Sequence, residues 1–121
     1  MALISGESMK RGEVWVARLN PNKGAELGKL RPVIILQDDA ILACGLTTVL
    51  VVPLTTQFRP KFAPLRIEIT ARDRLKKTCY AAVEQARAID SSRFGDGPLT
   101  MLTVEEMRAI EKSLKAMMGL L

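Results

Sequence analysis

The chain contains no histidine. That absence removes Ser-His-Asp and Cys-His nucleophilic arrangements, two-histidine ribonuclease chemistry and every metal site built on imidazole. Cys44 and Cys79 form no Cys-x-x-Cys pair, so neither a disulfide framework nor a zinc site is indicated. A Gly-x-x-x-x-Gly-Lys-Ser/Thr loop and a Gly-x-Gly-x-x-Gly turn are both missing, and with them any recognisable cradle for a nucleotide. Asp38-Asp39 is a poor magnesium site, because adjacent side chains on a strand or turn diverge. No metal and no cofactor are expected. Apolar runs stop well short of the roughly 18 residues a membrane span needs, and the first residues lack a basic stretch followed by an apolar core. A soluble cytoplasmic protein with two unpaired thiols is the expectation, with no membrane partner.

What is present is one domain's worth of chain, 121 residues with 48% apolar and 26% charged positions. Residues 1 to 8 read as a loose tail ahead of a single domain at 9 to 121. The net charge of +5 is local: residues 59 to 77 hold Arg59, Lys61, Arg66, Arg72, Arg74, Lys76 and Lys77 against Glu68 and Asp73. Such a segment attracts polyanions, either nucleic acid or an acidic protein, unless it is simply a solvated loop.

Glu13 to Leu19 is rich in β-formers and stops at the turn-forming Asn20-Pro21-Asn22-Lys23-Gly24. Pro32 to Leu36 and Val49 to Leu54 are short aliphatic runs that predict buried strands. Between them Asp38 caps a short helical stretch that ends near Gly45. Leu65 to Thr70 alternates, setting three aliphatics against Arg66, Glu68 and Thr70, as in a half-exposed strand. Tyr80 to Val83 and Ala86 to Ile89 predict a bent pair of strands, followed by an Asp90 cap. Thr103-Val104-Glu105-Glu106 is a capping box, and Val104, Met107, Ile110, Leu114, Met117, Met118 and Leu121 recur at helical spacing behind it. The methionines read as packing residues. The sum is an α+β domain: a curled, small antiparallel β-barrel, closed or partly closed, with a C-terminal amphipathic helix.

The remaining chemistry is that of arginine, threonine, glutamate and glutamine on a basic surface. RNA cleavage suits it, because the substrate supplies its own nucleophile, the 2′-hydroxyl. The protein then has to align that oxygen, help remove its proton and stabilise charge on the phosphate. Arginine offers bidentate contacts to phosphate and threonine a neutral donor, while a glutamate serves as base.

"RGEVWVARLNPNKGAELGKLRPVIILQDDA", "VVPLTTQ" and "VEQARAIDSSRF" together resemble, in order and spacing, the MazF/PemK-type toxins, the mRNA interferases of bacterial toxin-antitoxin systems. The resemblance implies an SH3-like barrel and a homodimer with a groove for single-stranded RNA. It also implies metal-independent, sequence-specific endoribonuclease activity that leaves 2′,3′-cyclic phosphate and 5′-hydroxyl ends, inhibited by a cognate antitoxin. On matching positions it makes Arg31 and Thr55 catalytic and Glu26 a candidate base. Lys29, Gln57, Lys61, Glu84, Gln85 and Arg87 become candidates for contact with RNA or for support of the site. Leu27 and Leu30 depart from the family pattern, which points to a different RNA preference. Trp15 reads as core or interface rather than as a stacking platform. Two other readings remain: a gyrase-poisoning toxin of the same fold, disfavoured by the lack of a terminal tryptophan segment, and a non-catalytic RNA-binding barrel.

Overall fold

Branched aliphatics at consecutive positions need cover on both faces of a sheet, and the fold provides it. A computed structural model describes residues 9–121; the expected tail lies outside the described residues. Strands β1 (Glu13–Arg18), β2 (Leu30–Ile35) and β3 (Thr48–Thr55) form an antiparallel meander, with a short helix α1 (Asp39–Ala43) between the last two. β4 (Arg66–Ile69), β5 (Cys79–Ala82), β6 (Arg87–Asp90) and β7 (Thr100–Met101) follow, and helix α2 (Val104–Met117) ends the order. The sheet runs β4-β5-β3-β2-β1-β7, and β6 also pairs with β3.

β3 holds two partners on one edge. Its first half, Thr48 to Val51, pairs with β6, and its end, Leu54 and Thr55, pairs with β5. The 3₁₀ turn Val83–Gln85 separates those partners and supplies the expected bend. Beyond β6 the chain crosses to the opposite edge of β1: Phe94 bridges Ala17, Val16 N–H donates to Asp96 O, and β7 pairs with Glu13 and Val14. Residues 87 to 101 therefore begin on β3 and end on β1. This curls the meander into a half-barrel.

The two faces carry separate cores. Val14, Ile34, Val52, Leu54, Val83, Met107 and Ile110 lie in one cluster, beneath α2. Trp15, Ala17, Val33, Ile35, Val49, Val51 and Ile89 lie in the other. Alternate residues of one strand thus feed different clusters, which explains the unbroken apolar runs. At about 1.5–3 kcal/mol for each large aliphatic fully buried, both cores contribute strongly to stability. Trp15 is core, as expected: it is 8% exposed, and its Nε1 donates to Glu13 Oε1 at 3.0 Å.

α2 begins as the capping box predicts, with Thr103 Oγ1 accepting from Glu106 N–H and Glu106 accepting from Thr103 N–H. Its apolar stripe is shorter than the periodicity suggested. Met107 and Ile110 are buried, whereas Val104, Met117, Met118 and Leu121 are exposed. Val104 and Met117 lie at the two ends of the helix, and Met118 and Leu121 lie beyond its last residue, Met117. The alternation over Leu65 to Thr70 also misleads at one position. Leu65 ends a 3₁₀ stretch, Pro60–Leu65, and the Arg66 side chain is turned inward, only 7% exposed.

Candidate active site

Arg31 was expected just ahead of a strand, but β2 begins at Leu30 and Arg31 lies inside it, opposite Ala17. Lys29 makes the entry with φ of 70°, a left-handed turn. β2 and β3 pair as Ile35 with Val51, Ile34 with Val52 and Val33 with Pro53. The pairing ends there: Arg31 lies two residues before Val33, and Thr55, two residues after Pro53, pairs with Tyr80 of β5. Both residues thus belong to adjacent strands rather than to loops, which favours precise placement.

Both line a cavity of about 360 Å³, together with Thr56, Arg74, Lys76, Lys77 and an apolar floor that includes Leu54 and Leu75. Arg31 is half-buried, and its Nε donates to Gly28 O at 2.7 Å. Thr55 is 6% exposed and its Oγ1 accepts from Gln57 N–H at 3.2 Å. Its hydroxyl hydrogen remains available to donate. An arginine fork, a hydroxyl donor and two lysines at one mouth make an anion site.

A second cavity, about 470 Å³, lies on the other side of Thr55 and is lined by Ala25, Leu27, Gln57, Arg59, Phe62, Arg66, Glu84 and Gln85. Here the polar groups engage each other. Arg66 is ion-paired with Glu84 and its guanidinium lies 5.3 Å from the Phe62 ring centroid. Arg59 donates to Gln57 Oε1 at 3.2 Å. Gln85 Nε2 donates to Ala25 O and its Oε1 accepts from Leu27 N–H, each at 3.2 Å.

The candidates from the sequence are thereby divided. Arg31 belongs to the first cavity; Gln57, Glu84 and Gln85 belong to the second; Thr55 is shared. Glu26, Lys29 and Lys61 are exposed and line neither. Glu26 Oε1 accepts from Lys23 N–H at 2.8 Å, closing the tip of the β1–β2 loop. Arg87 lies on β6 opposite Val51, and its Nη1 is buried without a hydrogen-bond partner among the described residues.

The chain matches, over residues 10–118, the family described as PemK-like, MazF-like toxin of type II toxin-antitoxin system. It is 32% identical over 113 residues to an Endoribonuclease MazF of Staphylococcus saprophyticus subsp. saprophyticus, covering 93% of this chain and 92% of that protein. The chain belongs to the PemK-like, MazF-like toxin family. The fold agrees with solved structures of MazF from Deinococcus radiodurans (TM-score 0.77, 18% identity, covering 92% of this chain and 96% of that one). It also agrees with an endoribonuclease in complex with its cognate antitoxin from a mycobacterial species (TM-score 0.72, 22% identity, 94% and 98%).

Within this MazF-like fold, Arg74, Lys76 and Lys77 join the Arg31 cavity, although sequence reading marked them only as members of a basic run. The pairing of β3 with β5 makes that juxtaposition, and the run itself is not uniform. Arg72 is committed elsewhere: it donates to Glu106 at 2.6 and 2.9 Å and to Met101 O at 3.2 Å. Its hydrogen bond with Glu106 raises its pKa. Burial pushes the Glu106 carboxyl up, but the hydrogen bonds from Arg72 and Thr103 outweigh it and leave the group below its ordinary value. Arg74 is paired with Asp96. Cys79 lines the Arg31 cavity as a thiol whose pKa is raised by burial. Among the described residues no helix is long and apolar enough to cross a membrane, and no group of three or more His, Cys, Asp or Glu is arranged to hold a metal ion.

Proposed function

We propose that residues 9 to 121 act as one endoribonuclease domain, an mRNA interferase that cuts single-stranded RNA at the Arg31–Thr55 cavity. The observation that carries this reading is the meeting of Arg31 and Thr55 at one basic mouth, in a chain that resembles a MazF endoribonuclease over most of its length. The scissile phosphate sits between the Arg31 guanidinium and the Thr55 hydroxyl. The RNA 2′-oxygen attacks the adjacent phosphorus and loses its proton to a base. The bond from phosphorus to the 5′-oxygen breaks, and that oxygen takes a proton from water to leave as a hydroxyl. The products are a 2′,3′-cyclic phosphate and a 5′-hydroxyl, and DNA is inert because it lacks the attacking oxygen.

Arg31 stabilises the charge that grows on the non-bridging oxygens, a role for which a permanently charged, bidentate donor is well suited. Lys76 and Lys77 hold flanking phosphates, so cationic side chains supply the charge that other nucleases take from a metal. Glu26, on the loop beside the cavity, is the candidate base. The protein works as a homodimer, and a cognate antitoxin, acidic where it meets the basic mouth, blocks access to RNA.

The test is cleavage of a long single-stranded RNA in excess chelator, with the ends mapped and a DNA of the same sequence alongside. Cut RNA carrying 2′,3′-cyclic phosphate ends, with intact DNA, is the expected result. RNA left intact at high protein concentration across all short sequence contexts would remove the enzyme reading and leave the RNA-binding one.

A further inference from the structure

We infer that Gln85 is a positioning residue for Arg31, acting as a latch on the β1–β2 loop rather than as a contact to RNA. The loop closes its own mouth and tip: Leu19 N–H donates to Lys29 O at 2.8 Å, Lys29 N–H donates to Asn20 Oδ1 at 2.9 Å, and Asn22 Nδ2 donates to Glu26 O at 3.1 Å. Arg93 holds its first residue, donating to Asn20 O. None of these bonds fixes where Ala25 to Gly28 lie relative to the sheet.

Gln85 does so. Its amide uses both ends on consecutive parts of that segment, donating to Ala25 O and accepting from Leu27 N–H, each at 3.2 Å across about 60 residues of sequence. Among the described residues these are the hydrogen bonds that tie Ala25 to Gly28 to anything beyond the β1–β2 hairpin. The anchor is firm, because Gln85 ends the 3₁₀ turn whose first residue, Val83, is fully buried in the core beneath α2.

The consequence passes along one peptide unit. Leu27, held by Gln85, precedes Gly28, and Gly28 O is the acceptor that aims the Arg31 guanidinium through Nε at 2.7 Å. Gly28 cannot drift independently, since its Cα is packed so closely that a Cβ there would lie 2.3 Å from Asn22 Oδ1 and 2.5 Å from Asn20 Oδ1. The core, Gln85, the loop backbone and the arginine therefore form one connected path. One amide hydrogen and one lone pair of the amide oxygen, half of the group's hydrogen-bonding capacity, are thus committed to the loop.

The kinetic half of this inference rests on the ribonuclease reading above, and the structural half does not. Gln85→Ala and Gln85→Glu, which keeps the acceptor for Leu27 N–H but loses the donor to Ala25 O, are compared with wild type in two measurements. Amide hydrogen exchange on the protein without RNA should quicken at Leu27 in Gln85→Ala and less so in Gln85→Glu. Cleavage of a short single-stranded RNA should lose about tenfold in kcat for Gln85→Ala with KM within about twofold, as two ordinary hydrogen bonds allow, and Gln85→Glu should fall between. Unchanged exchange at Leu27 would overturn the latch. So would a raised KM at unchanged kcat, which is the mark of a direct RNA contact. A wild type that cuts no RNA, with exchange still quickened in Gln85→Ala, would remove the nuclease reading and uphold the latch.

Discussion

Two cavities share Thr55 and differ in what their charged groups already hold. Around Arg31 the cations other than Arg74, which is paired with Asp96, have no carboxylate partner: Arg31 donates to a backbone carbonyl, and Lys76 donates to Asp73 O. Around Arg66 the side chains are paired with one another or with the loop, Arg66 with Glu84, Arg59 with Gln57, and Gln85 with the loop backbone, although Arg66 Nε is buried without a hydrogen-bond partner among the described residues. The first arrangement is prepared for an anion from outside. The second spends its polar groups on holding the loop and strand ends in place. Residue type therefore does not separate chemistry from scaffold here; the pairing state does.

The comparison breaks most directly at Arg31. Arg31→Ala should lower the cleavage rate by about 10²–10³-fold, the loss typical of removing one preorganised donor to a developing charge. Its urea midpoint should stay near that of wild type, because the side chain is half-exposed and no carboxylate depends on it.

On the other side of Thr55 the order reverses. Glu84→Ala leaves the Arg66 guanidinium buried and unpaired, and should cost about 3 kcal/mol of stability, read as a lower urea midpoint. Single-turnover cleavage by the folded fraction should fall far less than in Arg31→Ala. Thr55 belongs to both regions, and Thr55→Val should show both effects in reduced form. A drop of about tenfold in rate matches one lost hydrogen bond to a charged phosphate, with a small loss of stability from the orphaned Gln57 N–H.

Acid sharpens the same distinction within the basic run. Glu106 titrates below its ordinary value of 4.5 in the folded protein, so its contribution is complete above that pH and is lost as pH falls through the folded value. Arg72→Met should flatten the acid limb of the stability curve below about pH 4.5 and leave cleavage unchanged. Lys76→Ala and Lys77→Ala should do the opposite. Stability stays constant, while the salt dependence of RNA binding becomes shallower by roughly 0.7 on a log-log plot for each phosphate contact removed.

These contrasts also explain what could be read in advance. Strand runs, the Asp38 and Asp90 caps and the Thr103 capping box are local signals, and the structure has them where the residues indicate. Arg31 and Thr55 stood out through a family pattern, and the neighbouring strands β2 and β3 bring them to one cavity. The division of the other candidates did not stand out, because it depends on contacts between distant segments. Glu84 and Arg66 meet through pairing of β4 with β5, and Gln85 reaches a loop about 60 residues away. The outer ends of the α2 stripe misled for a related reason: periodicity reports which face is apolar, and only the neighbouring sheet decides how much of it is covered.

The central claim is that the chemistry belongs to the Arg31 cavity and that its neighbour is scaffold. Single-turnover cleavage at saturating protein, measured for Arg31→Ala and Gln57→Ala on one end-labelled RNA in chelator, tests it most directly, because saturation removes differences in binding. The account predicts a rate at least about a hundredfold lower for Arg31→Ala and within a few-fold of wild type for Gln57→Ala. Equal losses in the two variants, or a larger loss in Gln57→Ala, would contradict it.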